Sequence, residues 1–392
     1  MFQTVPNTPV VPYWRLSSFY FFYFAVVGAF VPYWGLYLAS LGFSGKEIGV
    51  LSSVVLLTKI ISPNIWGWLA DKTGQRLRII RWGSCLAFFI FLGVLIAKNF
   101  WQLAVVMVAY SFFWNAILAQ FEVLTLAHLN DQPENYSKIR VWGSIGFIVF
   151  VFALGYVFDV YPIAMLPFIL AVLFFAMWLS SAVIPAHPVS LVKEQNEGFL
   201  TIVFKPEVIS FFIACFLMQV SHGPYYTFYS LYLEKYGYSK ALIGQLWSLG
   251  VIAEVLLFML MHHILPRYSV RSILLFSLTV AAGRWIIVAL CPQSLVLLLF
   301  AQVLHAFTFG SFHAASIEMI RRHFSGGHEG QGQALYGAVS FGLGGSTGAF
   351  ISGLLWEHSP SATFLMSSVA CFIAVLVIWC SVKSLREETF SR

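Results

Sequence analysis

Four ionisable side chains stand inside long apolar runs, where charge is expensive. They are Lys59, Glu122, Glu254 and Arg284. A charged group at the centre of a bilayer costs about 2.5–3.5 kcal/mol on insertion scales, so each of these residues needs a compensating role. Two kinds of chemistry fit such residues: moving a proton or an anion through the membrane, and joining helices through buried ion pairs.

The functional interpretation assigns different tasks to Glu254 and Lys59. Glu254 would carry a coupling proton, and Lys59 would meet an anionic group on a transported solute. The structural interpretation instead pairs Lys59 with Glu122 and Glu254 with Arg284, each pair holding helices in register. Both interpretations stay open for Glu254, whereas the structural one is favoured for Glu122.

Three histidines also lie in apolar runs, namely His222, His305 and His313. His305, Phe309 and His313 are spaced four residues apart, which predicts one stripe on a helix. Histidine titrates near neutral pH, so this stripe suits a proton path. The alternative is hydrogen bonding between helices. Shared metal ligation is not expected, because eight residues span about 12 Å along a helix.

Aromatic and amide side chains near the middle of other apolar runs are candidates for the wall of a binding cavity. We predict that Tyr23, Tyr226 and Tyr229 face such a cavity and that Asn115 is a polar partner within it. The alternative for the tyrosines is packing at the lipid surface.

These residues must be positioned by membrane-spanning helices. Of the 392 residues, 59% are hydrophobic and only 10% are charged, whereas soluble domains carry about 25% charged residues. A spanning helix needs about 20 mostly apolar residues. The sequence predicts an all-α membrane protein of twelve helices, at 14–39, 46–70, 79–97, 101–127, 139–158, 161–183, 207–233, 240–263, 271–291, 294–320, 331–354 and 361–383.

The longest connection divides the helices into two sets of six. We predict an N-terminal bundle over 1–184, a linker over 185–206 and a C-terminal bundle over 207–392. With the N-terminus inside, the inner segments hold sixteen Lys and Arg residues and the outer loops four, which predicts that both termini and the linker are cytoplasmic. The net charge of +6 therefore reflects topology, and no nucleic-acid partner is expected.

The second half repeats the first. The segment that starts at Gly35 aligns without gaps with the one that starts at Ser230, an offset of 195 residues, and the matches include a helix end, a turn and the next helix. This pattern predicts two bundles related by an axis along the membrane normal. The same offset makes Lys59 and Glu254 equivalent positions of opposite charge.

A glycine-rich acidic and basic loop, GWLADKTGQRLR, joins the second and third helices. Gly67 allows close helix packing, and Gly74 permits a tight turn. Asp71 is expected to accept hydrogen bonds from amides at a neighbouring helix N-terminus. Arg76 and Arg78 would anchor the inner face.

This loop resembles the signature of the major facilitator superfamily, in which it clamps the two halves together in one conformation. Further patches resemble the branch that contains the 3-phenylpropionate permeases, which is related to nucleoside- and lactose-type proton symporters. Those patches are at 138–147, 222–239, 244–255, 283–285 and 304–316. The resemblance implies a two-bundle transporter in a bacterial inner membrane.

We therefore predict a monomeric secondary transporter that moves a small organic anion, such as an aromatic carboxylate, together with protons. The chain has no GxxxxGK[ST] phosphate loop, so ATP is not expected to drive it. Nor does it show the acid, base and nucleophile cluster of an enzyme, and no cofactor is expected. The alternatives are a proton symporter of a neutral sugar or nucleoside, in which Lys59 would be structural, and a membrane sensor that does not transport.

Overall fold

The computed structural model describes residues 11–129, 132–186, 198–325 and 327–381, and every regular element in those ranges is helical. Twelve of the helices are long and apolar enough to cross a membrane. We number them α1 (Tyr13–Ser40), α2 (Gly45–Thr73), α3 (Arg76–Leu95), α4 (Phe100–Leu129), α5 (Tyr136–Val160), α6 (Ile163–Ala182), α7 (Pro206–Lys235), α8 (Lys240–Ile264), α9 (Val270–Leu290), α10 (Leu295–His323), α11 (Glu329–Trp356) and α12 (Pro360–Ser381). The twelve predicted helices are confirmed, with ends that agree to within three residues.

The 195-residue repeat is visible in the helix ends. α1 ends at Ser40 and α7 at Lys235, while α2 begins at Gly45 and α8 at Lys240. Both pairs are 195 residues apart. The turns end in similar ways too: Ser44 caps α2 by accepting from the Glu47 amide, and its equivalent Ser239 caps α8. A serine hydroxyl at this position satisfies one of the amides that a helix N-terminus leaves free.

The packing within each half follows the same plan, which gives two pseudo-symmetric six-helix bundles. In the first bundle α1 packs against α5 and α6, α2 against α4, and α3 against α4 and α6. In the second bundle α7 packs against α11 and α12, α8 against α10, and α9 against α10 and α12. A short helix, Phe199–Val203, precedes α7. Much of the predicted linker lies outside the described residues, so its bounds at 185–206 stay a prediction.

The two bundles meet along α2 with α11, α5 with α8, and α1 with α7. We call the side of the molecule where α6 ends and α7 begins the linker face, and the opposite side, where α2 and α8 begin, the far face. Glycines bring the backbones together in the far half: a Cβ atom at Gly49 would lie 2.7 Å from Gly353 Cα, and one at Gly155 would lie 2.6 Å from the Lys240 carbonyl oxygen.

The side-chain hydrogen bonds that cross between the bundles are also confined to the far face, where both partners belong to the described ranges. They join Asp159 to Lys240 and Ala241, Glu357 to Gly45, and Gln245 to Tyr156. The structure therefore shows a conformation in which the far face is closed.

Candidate functional site

Lys59 lies on the side of α2 that faces away from lipid. Leu57 and Ile61, two residues before and after it, are exposed on the membrane surface together with Ile65 and Trp68. A helix turns by about 100° per residue, so Lys59 lies almost opposite this exposed stripe and faces the space between the bundles. Its side chain is partly buried and makes no ion pair with a described residue.

The predicted pair between Lys59 and Glu122 is therefore wrong. Glu122 on α4 interacts instead with the Tyr136 hydroxyl and lies within electrostatic range of Arg140, both on α5. The physical reason is helix rotation, because Glu122 projects toward α5 and Lys59 toward the centre of the molecule. Lys59 is left as a cation that no described carboxylate neutralises.

Arg140 is a central charge, although the sequence pattern places it among the sixteen basic residues of the inner segments. Its guanidinium carbon lies 4.0 Å from the centroid of the Phe24 ring and 5.5 Å from that of Tyr20. No carboxylate of the described residues lies within 4.0 Å of it. It is nonetheless within electrostatic range of Glu254 and His313 in the other bundle.

The register of α5 against α8 explains this position. The two helices are antiparallel, with Gly155 against Lys240 and Val151 against Gly244. Following that register toward the linker face brings Arg140 opposite the turn of α8 that holds Glu254. The central position of Arg140 follows from this register between helices of different bundles. The residue pattern of α5 alone does not contain that information.

Glu254 faces the same central region from the second bundle. Its carboxylate is 18% exposed and its Oε2 atom lies 3.6 Å from Nε2 of His305 on α10. The structural interpretation, which pairs Glu254 with Arg284, is wrong, because no ion pair joins these two described residues. The close approach of α10 is possible at Gly310, where a Cβ atom would lie 3.3 Å from Glu254 Cγ.

Arg284 is fully buried inside the second bundle, away from the centre. Its Nε donates to the Ala301 carbonyl oxygen at 2.9 Å, and its Nη1 donates to the Thr308 hydroxyl at 3.4 Å. Its guanidinium carbon lies 4.2 Å from the ring centroid of Trp285 and 4.6 Å from that of Tyr225. Aromatic faces attract a cation, so neutral groups surround Arg284 and make it a packing centre for α7, α9 and α10, while its buried Nη2 has no hydrogen-bond partner among the described residues.

The rings of His305, Phe309 and His313 form one stack along α10. The first two centroids are 5.6 Å apart with 15° between the planes, and the next two are 6.0 Å apart with 6° between the planes. This part of α10, Ala306–Ser311, is a π-helical segment. Its wider turn brings residues four apart closer to alignment than an α-helix does. His313 Nδ1 lies 3.1 Å from the Tyr336 hydroxyl oxygen on α11.

His222 and Tyr229 on α7 belong to the core of the second bundle. His222 donates from Nδ1 to the Met218 carbonyl oxygen at 2.9 Å, and its ring centroid is 5.0 Å from that of Trp285. Tyr229 is fully buried and accepts a hydrogen bond from Gln302. The prediction that Tyr229 faces a cavity is therefore wrong.

Two other predicted aromatic residues lie nearer the centre. Tyr226 is partly exposed and its ring centroid is 6.3 Å from that of Trp247. Tyr23 on α1 is buried, with its ring centroid 5.8 Å from that of Trp114 on α4. Trp114 itself is 5% exposed and its indole nitrogen has no hydrogen-bond partner among the described residues, which leaves one buried donor beside Tyr23.

Asn115 joins α4 to α2 beside Lys59. Its amide nitrogen donates to the Val55 carbonyl oxygen at 2.8 Å and to the Thr58 hydroxyl at 2.7 Å. Thr58 also donates to Ser111 at 3.1 Å. These contacts hold the turn of α2 that carries Lys59, so Asn115 positions that turn in the structure, and a direct contact with a solute stays a prediction.

The loop between α2 and α3 is bonded within the first bundle. Asp71 forms an ion pair with Arg76, and Arg76 also donates to Gln120 on α4. The expectation that Asp71 accepts from amides of a neighbouring helix is therefore wrong. Gly74 has φ +65°, as its predicted turn requires.

The other two residues of this loop signature have local contacts. Gly67 lies against the side chain of Gln120, where a Cβ atom would be 3.3 Å from Nε2. Arg78 donates to Gln75 Oε1 at 3.0 Å. In the far-face-closed conformation, the described contacts of this loop thus do not reach the second bundle.

Twelve membrane helices in two pseudo-symmetric bundles are the architecture of a major facilitator transporter. The chain belongs to the MFS_1 like family, which matches residues 13–366. It is 27% identical to the probable 3-phenylpropionic acid transporter of Escherichia coli (strain K12), over 92% of this chain and 96% of that protein. It is 25% identical to the maltose permease of Geobacillus stearothermophilus, over 95% and 94% of the two chains.

The fold is shared with solved transporters as well. The crystal structure of the nucleoside transporter NupG covers 94% of this chain and 98% of its own, with a TM-score of 0.81 and 18% sequence identity. At this identity the likeness establishes the fold alone. The chain is therefore a multi-pass membrane transporter of the major facilitator type.

Proposed function

We propose that the protein is a secondary transporter that carries a small organic anion, such as an aromatic carboxylate, together with protons by alternating access. The observation that carries this proposal is the position of Lys59, which faces the space between the bundles with no carboxylate partner among the described residues. A cation held at this depth is costly, and an anionic solute would offset that cost while it is bound.

The surroundings of Lys59 suit an aromatic carboxylate. Asn115 ties the Lys59 turn to α4, and the preceding residue on α4 is Trp114. The unpaired indole N–H of Trp114 could donate to the same carboxylate, and the rings of Trp114 and Tyr23 could stack against an aromatic ring. Arg140 supplies a second cation in the same bundle.

Glu254 is the proposed proton carrier. It is partly exposed to the central region, and its nearest basic group is His305, which is charged only when protonated. Because Arg140 lies beyond ion-pair distance of this carboxylate, Glu254 can take up a proton in one conformation and release it in another. The histidine stack on α10 extends from this carboxylate toward the linker face.

We propose that the linker face is cytoplasmic, that both termini are on that side, and that the membrane is a bacterial inner membrane. The distribution of Lys and Arg supports this orientation, with sixteen residues in the segments on one side and four on the other. The far face is then extracellular, and its closed state corresponds to a transporter that is accessible from the cytoplasm. We further propose that each protomer transports as a monomer.

A proton-coupled transporter of a neutral sugar or nucleoside is the second candidate, favoured by the 25% identity to a maltose permease across nearly the whole chain. In that case, aromatic rings would stack on the solute, and Lys59 would serve the structure of α2 alone. The two candidates differ in whether the solute must carry a negative charge.

Uptake by proteoliposomes with an inward proton gradient tests both candidates. The panel contains 3-phenylpropionate, its uncharged amide, maltose and uridine, and protein-free liposomes measure passive permeation of the protonated acid. We expect protein-dependent accumulation of the carboxylate alone, abolished by a protonophore. Accumulation of maltose or uridine would support the second candidate. Uptake that is unchanged by the protonophore would contradict proton coupling.

A further inference from the structure

Two carboxylates at the far face reach from one bundle to the other. Asp159, in the last turn of α5, accepts from the backbone N–H of Lys240 at 2.7 Å and from that of Ala241 at 3.1 Å. Glu357, immediately after α11, accepts from the backbone N–H of Gly45. In both contacts, the carboxylate meets the first residues of a helix in the other bundle.

The two contacts are reciprocal. Gly45 and Lys240 begin the equivalent helices α2 and α8, and α5 and α11 are the fifth helices of their bundles. Each bundle therefore supplies one carboxylate to the second helix of the other. Asp159 and Glu357 are 198 residues apart, so an alignment at a constant offset of 195 does not pair them. Only the folded structure shows that both carboxylates bind the N-terminus of a helix in the opposite bundle.

The amides that these carboxylates bind are left free by the local caps. The Ser44 hydroxyl serves the Glu47 amide of α2, and the Ser239 hydroxyl serves the Leu242 amide of α8. The first amides of each helix remain without an intrahelical partner. They carry the positive end of the helix dipole, and hydrogen bonds from them to an ionised acceptor are stronger than neutral ones.

Close backbone packing directs the carboxylates to these amides. A Cβ atom at Gly45 would lie 2.5 Å from the Trp356 ring, next to Glu357. A Cβ atom at Gly155, one helical turn before Asp159, would lie 2.6 Å from the Lys240 carbonyl oxygen. Separation of the bundles at the far face must therefore break both contacts and expose both helix ends to water.

We propose that Asp159 and Glu357 form a reciprocal pair of gate residues that stabilises the closed far face. They act as positioning residues for transport, because they set the equilibrium between conformations without touching the solute. This proposal rests on the alternating access of the proposed function, but it is independent of the identity of the solute.

The matched control is Glu234, a far-face carboxylate whose partner belongs to its own bundle. It lies 2.8 Å from the Lys240 ammonium group, within the second bundle. Glu234→Ala removes a carboxylate from the same surface without removing a contact between bundles. Any general effect of surface charge on the protein should therefore appear in this variant as well.

The test measures the far-face distance by pulsed electron spin resonance. Spin labels are attached at Lys98→Cys and Gln293→Cys, in a chain whose five native cysteines are replaced by serine or alanine. Both label positions are exposed, and they occupy equivalent loops, between α3 and α4 and between α9 and α10. Distances are recorded for Asp159→Ala, Glu357→Ala, both together and Glu234→Ala.

We expect each gate variant to raise the ratio of long to short distances about fivefold to tenfold, the effect of losing a helix N-cap. The double variant should raise it about 25-fold to 100-fold, since the two sites are separate. Glu234→Ala should change nothing, and Asp159→Glu should restore much of the closed population. An unchanged distance distribution in the double variant overturns the proposal, as does an equal shift in Glu234→Ala.

Transport assays distinguish a failure of this gate proposal from a failure of the proposed function. If the distances shift as expected but no member of the solute panel is accumulated, the gate stands and the solute assignment fails. If the carboxylate is accumulated by the unaltered protein and the distances do not respond to the gate variants, the gate proposal fails alone. A variant that unfolds is recognised by loss of its gel-filtration peak and is replaced by Asp159→Asn or Glu357→Gln.

Discussion

Lys59 and Glu254 occupy equivalent positions in the two bundles, but their environments differ. Around Lys59, neutral hydroxyl and amide groups bind α2 to α4, and no described anion faces the ammonium group. Glu254 faces a histidine, with a ring stack behind it. The same architecture thus presents an amine from one bundle and a carboxylate from the other. The proposed function therefore places anion binding in one bundle and proton coupling in the other.

The helices around these residues differ as well. In the second bundle, α10 and α11 contain π-helical segments, Ala306–Ser311 and Gly337–Gly344. Their equivalents in the first bundle, α4 and α5, are continuous α-helices over the described residues. π-Helical turns occur preferentially at functional sites, so the irregular backbone lies on the side that is proposed to handle protons.

The largest effect should come from Glu254→Gln. This variant keeps the shape of the side chain and removes its titration, so gradient-driven accumulation should fall to the level of protein-free liposomes. Counterflow exchange, which needs no net proton movement, should stay within about threefold of the unaltered protein, as the reorientation of a neutral site remains possible. Glu234→Gln is the control. Accumulation at the normal level would show that the second bundle does not carry the proton at Glu254.

A smaller effect is expected from Lys59→Met, which removes the cation of the first bundle. Loss of a charge-assisted hydrogen bond of about 1.5–3 kcal/mol corresponds to a rise in KM of about 10-fold to 150-fold for the carboxylate. Lys59→Arg should recover part of the affinity. Lys46→Met, at the far face, serves as the control. An unchanged KM in Lys59→Met would mean that the solute is not recognised through this cation.

Arg284, which is buried, and Arg140, which is partly buried, offer a comparison of two cations with different predicted roles. Arg284→Met should lower the apparent Tm by about 1 °C, since about 1 kcal/mol of packing and hydrogen bonding is lost. Arg140→Met should leave the Tm close to that of the unaltered protein and instead weaken transport. Thermal unfolding followed by tryptophan fluorescence measures both. The reverse pattern would place the structural cation in the first bundle.

The smallest effect should come from Asp71→Asn in the loop between α2 and α3. Asp71 is exposed and its ion pair with Arg76 stays within the first bundle. Such pairs contribute about 0–1 kcal/mol, so KM for the solute should change by less than about threefold. Glu47→Gln, a capping residue of the same helix, provides a comparison. A tenfold change in KM would show that the loop couples to the binding site in this conformation.

The sequence was sufficient for the features that depend on one helix or on the repeat. Apolar runs located all twelve helices, because a bilayer sets both their length and their composition. The constant offset identified the equivalence of Lys59 and Glu254, and residue spacing placed His305 and His313 on one stripe. Gly74 was assigned to a turn, since a glycine accommodates positive φ without strain.

Features that depend on how one helix is rotated against another could not be predicted from the sequence. Both proposed ion pairs, Lys59 with Glu122 and Glu254 with Arg284, are absent because the rotation of each helix turns the partners in different directions. The sequence pattern marks Arg140 only as a topology signal, and the register of α5 against α8 is what places it at the centre. The sequence predicts that Tyr229 faces a cavity, whereas in the structure Gln302 donates a hydrogen bond to it inside the second bundle.

The division of tasks between the bundles is tested most directly by measuring solute and proton fluxes in the same proteoliposomes at saturating carboxylate. We predict that Lys59→Met moves protons and solute in the same ratio as the unaltered protein once the solute saturates it. We also predict that Glu254→Gln exchanges solute without moving protons. Proton movement that persists in Glu254→Gln, or that is lost in Lys59→Met at saturation, would contradict the assignment of binding to one bundle and coupling to the other.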